Sequence, residues 1–144
     1  MNKREGNKLI CEFVPLPICE KGVLGDNNVY YDITPLRGHN SIVAEEDLRF
    51  HCDWNWLMAV VERIEAIDDE HHGHFGVYIS SNQCTIEGTR LHMAIAPNSK
   101  YGAVYHHSSI ADGKREATWY AVVVFIKWYN RYKQEKENES AKSI

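Results

Sequence analysis

Two segments constrain the fold of this chain more than anything else in it. His51–Glu65 (HCDWNWLMAVVERIE) and Lys114–Tyr132 (KREATWYAVVVFIKWYNRY) together hold all four tryptophans and most of the long apolar side chains. In the first, Trp54, Leu57, Met58, Val61 and Ile64 recur at the i, i+3, i+4, i+7 spacing of one helical face. The Asp53 carboxylate can accept from the free amides of a first turn, so a helix is predicted to begin there. In the second, Ala117, Tyr120, Ala121, Val124, Phe125 and Trp128 make one stripe, while Trp119, Val122, Val123 and Ile126 make most of the remaining face apolar too. Asp112 is a fair N-cap for it. A helix apolar on both sides is either central in its domain or packed against a second subunit, and a homo-oligomer formed through this helix is the expectation.

Between these helices the pattern changes to strands. Phe75–Ser80 and Gln83–Glu87 alternate around Ser81–Asn82, which reads as a hairpin. Leu91–Ala96 follows the Gly88 turn as a third strand, and Tyr101–Ile110 adds a fourth. Asp68–His74 is expected to end the first helix, with Gly73 as terminator. Ahead of the helix, the first residues are polar and read as frayed. Leu9–Val14 is a short apolar run, helix or strand, stopped by Pro15. Val29–Thr34 reads as a strand and Pro35–Glu46 as a loop. With 144 residues the chain is of a size for one domain. The expectation is a single α+β domain over residues 1–132, an antiparallel sheet of about four strands with two main helices packed on it. A charged tail, 133–144, is expected to be partly disordered.

The net charge of −4 offers no global basic field for a nucleic-acid backbone, so nucleic acid is not the expected partner. No stretch approaches the ~20 apolar residues of a membrane span, since Ala121–Ile126 runs straight into Lys127. The opening MNKREGNK is followed by an apolar run broken by Glu12, Pro15 and Pro17, which does not read as a secretory signal. Cys11, Cys19, Cys52 and Cys84 are scattered, with no CxxC pair. Reduced thiols and a cytoplasmic location follow as expectations, with Cys11 and Cys84 read as small core residues.

Three segments carry a resemblance: Asn7–Phe13 (NKLICEF), Asp53–Glu65 (DWNWLMAVVERIE) and Ala121–Asn130 (AVVVFIKWYN). In wording, order and relative position they are similar to a group of small, uncharacterised proteins encoded by phages and mobile elements of gut Bacteroidetes. These are packing motifs, and the group brings no catalytic residues to carry over. The chain departs from the pattern in Ile67–Gly113, which is rich in His and Tyr. The resemblance implies a phage-type accessory protein working in the host cytoplasm, where small proteins without catalytic signatures act by binding.

Histidine is the first candidate for chemistry. His71, His72 and His74 beside Asp68, Asp69 and Glu70 suggest a metal site, because neutral imidazole is a common transition-metal ligand. Adjacent residues rarely turn toward one ion, so the blander reading is a solvated loop after a helix C-terminus, and no metal or other cofactor is assigned. His106 and His107 beside Ser108 and Ser109 raise the thought of a serine hydrolase, but the chain has no G-x-S-x-G elbow. Gly22-Val23-Leu24-Gly25 lacks the Lys of a phosphate-binding P-loop.

A binding site is easier to read than a reaction. Arg90, His92, Lys100, Tyr101, Tyr105, His106, His107, Arg115 and Trp119 mix aromatic, basic and hydrogen-bonding side chains within one stretch. Aromatic faces stack on planar bases, and Arg and Lys answer phosphate charge. The competing reading is an amphipathic sheet whose rings are core. The function expected is binding, without turnover, of a small nucleotide-derived ligand, with sequestration of a host defence signal as its use. The alternatives are a metal-dependent hydrolase using the histidine segments and a protein–protein interaction module.

Overall fold

The computed structural model describes residues 2–19, 29–37, 42–89 and 104–142. Along the chain run α1 (Lys3–Phe13), β1 (Ile18–Cys19), β2 (Tyr30–Asp32), α2 (Thr34–Arg37) and β3 (Ile42–Ala44), then a 3-10 turn at Glu45–Asp47. They are followed by α3 (Trp54–Glu65), β4 (Asp68–Asp69), β5 (Gly73–Ile79), β6 (Gln83–Gly88), β7 (His106–Ile110) and α4 (Lys114–Lys142). Two antiparallel sheets result, a small one in the order β1-β2-β3 and a larger one in the order β4-β5-β6-β7. The molecule is a single small α+β domain with its helices packed on the four-stranded sheet, as the pattern of apolar residues implied.

The hairpin forms where the alternation placed it. Val77 pairs with Ile86 and Ile79 with Cys84, and the Ser80 amide donates to the Gln83 carbonyl at 2.9 Å across Ser81–Asn82. On the next strand His107 lies opposite Ile86 and Ser109 opposite Cys84. Successive residues of a strand face opposite sides, so Cys84, Ile86 and Ser109 share the face that meets α4. The strand predicted at Leu91–Ala96 lies outside the described residues, as does the beginning of the one predicted at Tyr101–Ile110.

α4 is central. Ala117, Trp119, Ala121, Val122, Val123, Phe125 and Ile126 are each no more than 1% exposed. β6 and β7 cover one side of the helix, and α1 and α3 cover another. Its doubly apolar character is therefore satisfied within one chain, the first of the two alternatives that the sequence left open. Among the described residues, no helix is long and apolar enough to cross a membrane.

Several boundaries differ from expectation, each for a local reason. α1 begins at Lys3, where the residues read as frayed, because the Asn2 side chain accepts from the Arg4 amide at 2.8 Å and Gly6 and Asn7 are buried. The buried face of α3 is Trp56, Leu57, Val60, Val61 and Ile64, with Trp54 and Met58 half-buried at its margin. Contacts with α4, with β5 and with Phe50, whose ring meets Trp56 edge-on at 5.2 Å, rotate the stripe that way. Asp53 caps α3 as expected, accepting from the Asn55 amide at 2.9 Å. The helix stops at Glu65, however, and Gly73 opens β5 directly after the turn from β4, where its φ of 71° suits glycine. Pro35–Glu46, read as a loop, holds most of α2 and all of β3. The charged residues after Tyr132 continue α4 to Lys142, in keeping with their content of Lys, Glu, Gln and Ala.

α1 meets α4 at Gly6, where a Cβ would run into two ring carbons of Trp119. Replacing a mid-helix glycine by alanine normally gains about 1 kcal/mol of helix propensity. Here Gly6→Ala is expected to destabilise the fold by about 1–2 kcal/mol net, because overpacking against a buried indole outweighs that gain. Urea unfolding of the variant against the parent measures the sign directly.

Candidate functional site

One buried amide organises a polar recess beside the start of α4. The Trp119 indole N–H can only donate, and it donates to Asn7 Oδ1 at 2.9 Å. The Leu48 carbonyl can only accept, and it accepts from Asn7 Nδ2 at 3.1 Å. These two partners fix which end of the Asn7 amide is oxygen. The same Nδ2 lies 2.8 Å from His51 Nδ1, which must therefore be the acceptor. With Nδ1 unprotonated, neutral His51 carries its proton on Nε2. A 98%-buried asparagine thus joins α1, the segment before α3 and α4, and sets the tautomer of a histidine.

The recess beside it has a volume of about 110 Å³ and is lined by Lys3, His51, Arg115, Glu116, Trp119 and Tyr120. Lys3 is the first residue of α1 and Arg115 the second of α4, so the positive ends of two helix dipoles lie at the same place. Among the described residues, neither Lys3 nor Arg115 has an ion-pair partner. Glu116 is the one acid among the described residues of the lining. Burial, and then the charges of Lys3, Arg115 and Arg49, hold His51 below the usual histidine range. The result is a locally cationic pocket with an oriented N–H donor on an acidic chain.

Of the side chains read from sequence as ligand-binding, the structure brings Arg115 and Trp119 together here. Trp119 is 1% exposed, so it forms the inner wall and holds Asn7. Tyr105 is elsewhere: its ring lies 4.3 Å from that of Trp128, more than two turns further along α4, and 5.5 Å from that of Phe125. Burial pushes the Tyr105 phenol up, and its hydroxyl has no hydrogen-bond partner among the described residues. His106 is exposed, with Nε2 3.6 Å from Glu87. His107 Nε2 lies 3.2 Å from Ser109 Oγ on the same strand. Arg90, His92, Lys100 and Tyr101 lie outside the described residues. No periodicity or motif in the sequence links Lys3, Asn7 and His51 to Arg115, because they lie so far apart in the chain, and Tyr120 reads there as one member of the apolar stripe of α4.

The histidine-rich stretch is a structural junction where the sequence suggested a solvated loop. His72 is buried, with its ring stacked on Phe75 at 5.6 Å and edge-on to Trp128 and Tyr132. Its Nδ1 donates to Asp69 Oδ2 at 2.9 Å, and that oxygen also accepts from the His71 and His72 amides and from the Tyr132 hydroxyl. Burial by itself raises Asp69, but the hydrogen bonds from His72, Tyr132 and His71 together outweigh it and hold the carboxyl at about 2. For His72 burial prevails over the Asp69 contact, so the imidazole is held below its usual range. His74 instead faces solvent beside Asp68. Among the described residues, no three His, Cys, Asp or Glu side chains are grouped to hold a metal ion.

A larger cleft of about 590 Å³ opens between the small sheet and α3, with Tyr30, Ile33, Val43, Asp47, Arg49 and Trp56 among its lining residues. Its size suits a small molecule, but its charged side chains are mainly acidic. Cys11 and Cys84 are buried, and burial pushes their thiols up, Cys11 to about 12, which leaves them inert as nucleophiles. No protein-family model, curated protein or solved structure matches the chain.

His51 and His72, both held below 6.5, take up protons more readily in the unfolded chain than in the fold. The stability they confer is complete above about pH 6.5 and is lost as pH falls through their folded values. Asp69, held at about 2, loses its contribution only further down, between roughly pH 4 and 2. The thermal midpoint is therefore expected to fall from about pH 7.5 to 5, and to fall less in His51→Gln and His72→Gln. A midpoint that stays level over that range contradicts the assignment.

Proposed function

We propose that this chain binds a small nucleotide-derived ligand without turning it over, seating the phosphate in the recess of Lys3, His51 and Arg115. The observation that carries the reading is the meeting, at one small recess, of two cations that have no ion-pair partner among the described residues and an N–H donor of fixed direction. Charge-assisted bonds from Lys and Arg are the strong contacts to phosphate oxygens. Tyr120, half-buried on the lining, offers an aromatic side chain to the part of the ligand outside. Binding without turnover suits His51, because its acceptor nitrogen is occupied by Asn7 and so is not available as a general base. The resemblance to phage-encoded proteins adds the biological setting, an accessory protein that sequesters a nucleotide signal of host defence in the host cytoplasm.

Native mass spectrometry of protein purified without added ligand, followed by calorimetric titration with AMP, ADP-ribose and a cyclic dinucleotide, tests this reading. At least one phosphate-bearing compound is expected to bind saturably at one site per chain and to be recovered chemically unchanged, while adenosine gives no signal. Absence of binding across the panel, or recovery of a converted compound, overturns the proposal.

A further inference from the structure

The recess has dimensions and charge that narrow the ligand class. Resting on the binding reading above, we infer that it is a terminal-phosphate site, selective for a phosphomonoester over a phosphodiester. A volume of about 110 Å³ is well below the ~300–1,000 Å³ of pockets that enclose whole small molecules, so one group enters and the rest of the ligand stays outside. The inner wall is Trp119, sealed by its bond to Asn7, which leaves entry from the solvent side. A monoester has one substituent on phosphorus and can leave by one mouth. A diester has two, and both must find a way out.

Charge points the same way. Lys3 and Arg115 bring two positive charges from two different helices, matching the roughly −1.5 to −2 that a phosphate monoester carries near neutral pH. A diester offers only a single negative charge. His51 adds a neutral N–H, donated from Nε2 because Asn7 occupies Nδ1, and so contributes direction without further charge. Glu116 opposes the anion from the same lining and limits the affinity. Cyclic dinucleotides, whose phosphates are all diesters, are thereby disfavoured.

The test compares AMP, inorganic phosphate, 3′,5′-cyclic AMP and adenosine on the full chain by calorimetry, with Lys3→Ala, Arg115→Ala and Glu116→Gln checked for an unchanged circular-dichroism melt. Lys3 and Arg115 are exposed, so their substitution leaves the core intact. AMP and inorganic phosphate are expected to bind, cyclic AMP at least about 10-fold more weakly than AMP, and adenosine not at all. Lys3→Ala and Arg115→Ala are each expected to weaken AMP by roughly 3- to 10-fold, and Glu116→Gln to tighten it about 2- to 5-fold. Cyclic AMP binding as tightly as AMP overturns the inference and leaves the binding reading standing, whereas AMP binding that neither cation deletion weakens overturns both, because the phosphate is then seated elsewhere. Failure of every phosphate-bearing compound to bind overturns both.

Discussion

The hydrogen bond from the Trp119 indole to Asn7, between residues 112 positions apart, is the contact on which the arrangement of the three longest helices depends. Both partners are buried, and a buried amide left without its partner costs about 1–3 kcal/mol. The bond exists because Gly6 has no Cβ to hold α1 away from the indole ring. Asn7 then uses its second face on Leu48 and His51, which ties the approach to α3 into the same junction. Packing at one glycine, satisfaction of one amide and the protonation of one histidine are thus a single physical arrangement.

A second polar junction fastens α4 further along. Asp69 is nearly buried yet ionised, because the donors around it replace the water it has lost. Tyr132 reaches it from α4, His72 reaches it from the β4–β5 turn, and Lys136 approaches its other oxygen at 3.6 Å. Around it Phe75, Tyr105, Phe125, Trp128 and Tyr132 meet in edge-on and stacked pairs that add directionality to simple apolar burial. The central helix is held near its start by an amide and in its middle by a carboxylate, each inside an otherwise apolar layer. The polar groups therefore fix the registry that hydrophobic contact by itself leaves loose.

How much was legible in the sequence follows from how local each signal is. The Asp53 cap, the apolar period after it, the two-sided greasiness of α4 and the Ser81–Asn82 hairpin are all written within a few residues of one another, and each was found. The mainly polar run Lys3–Lys8 hides the start of α1, whose burial comes from a neighbour more than a hundred residues away. The stripe on α3 was placed slightly off its true face, since sequence period gives a phase only to within a residue and contact with Phe50, β5 and α4 chooses it. His72 was read as a wet loop residue because adjacent histidines look alike until one ring is seen to stack under Phe75. In the candidate site, Arg115 and Trp119 stood out as a basic and aromatic pair, whereas Lys3 and His51 had nothing nearby to mark them.

By itself, then, the sequence determined the class of the fold and the identity of its core elements, because helical and strand periodicity and capping are short-range properties of the chain. Only the tertiary structure decided which polar groups lose their water and which charges confront one another. It gave His51 its tautomer, made Asp69 an anion inside an aromatic cluster, and brought two cations from distant parts of the chain to one recess. Hydrogen bonds and local fields act over a few ångströms of space, and separation along the chain does not reveal which residues will be that close.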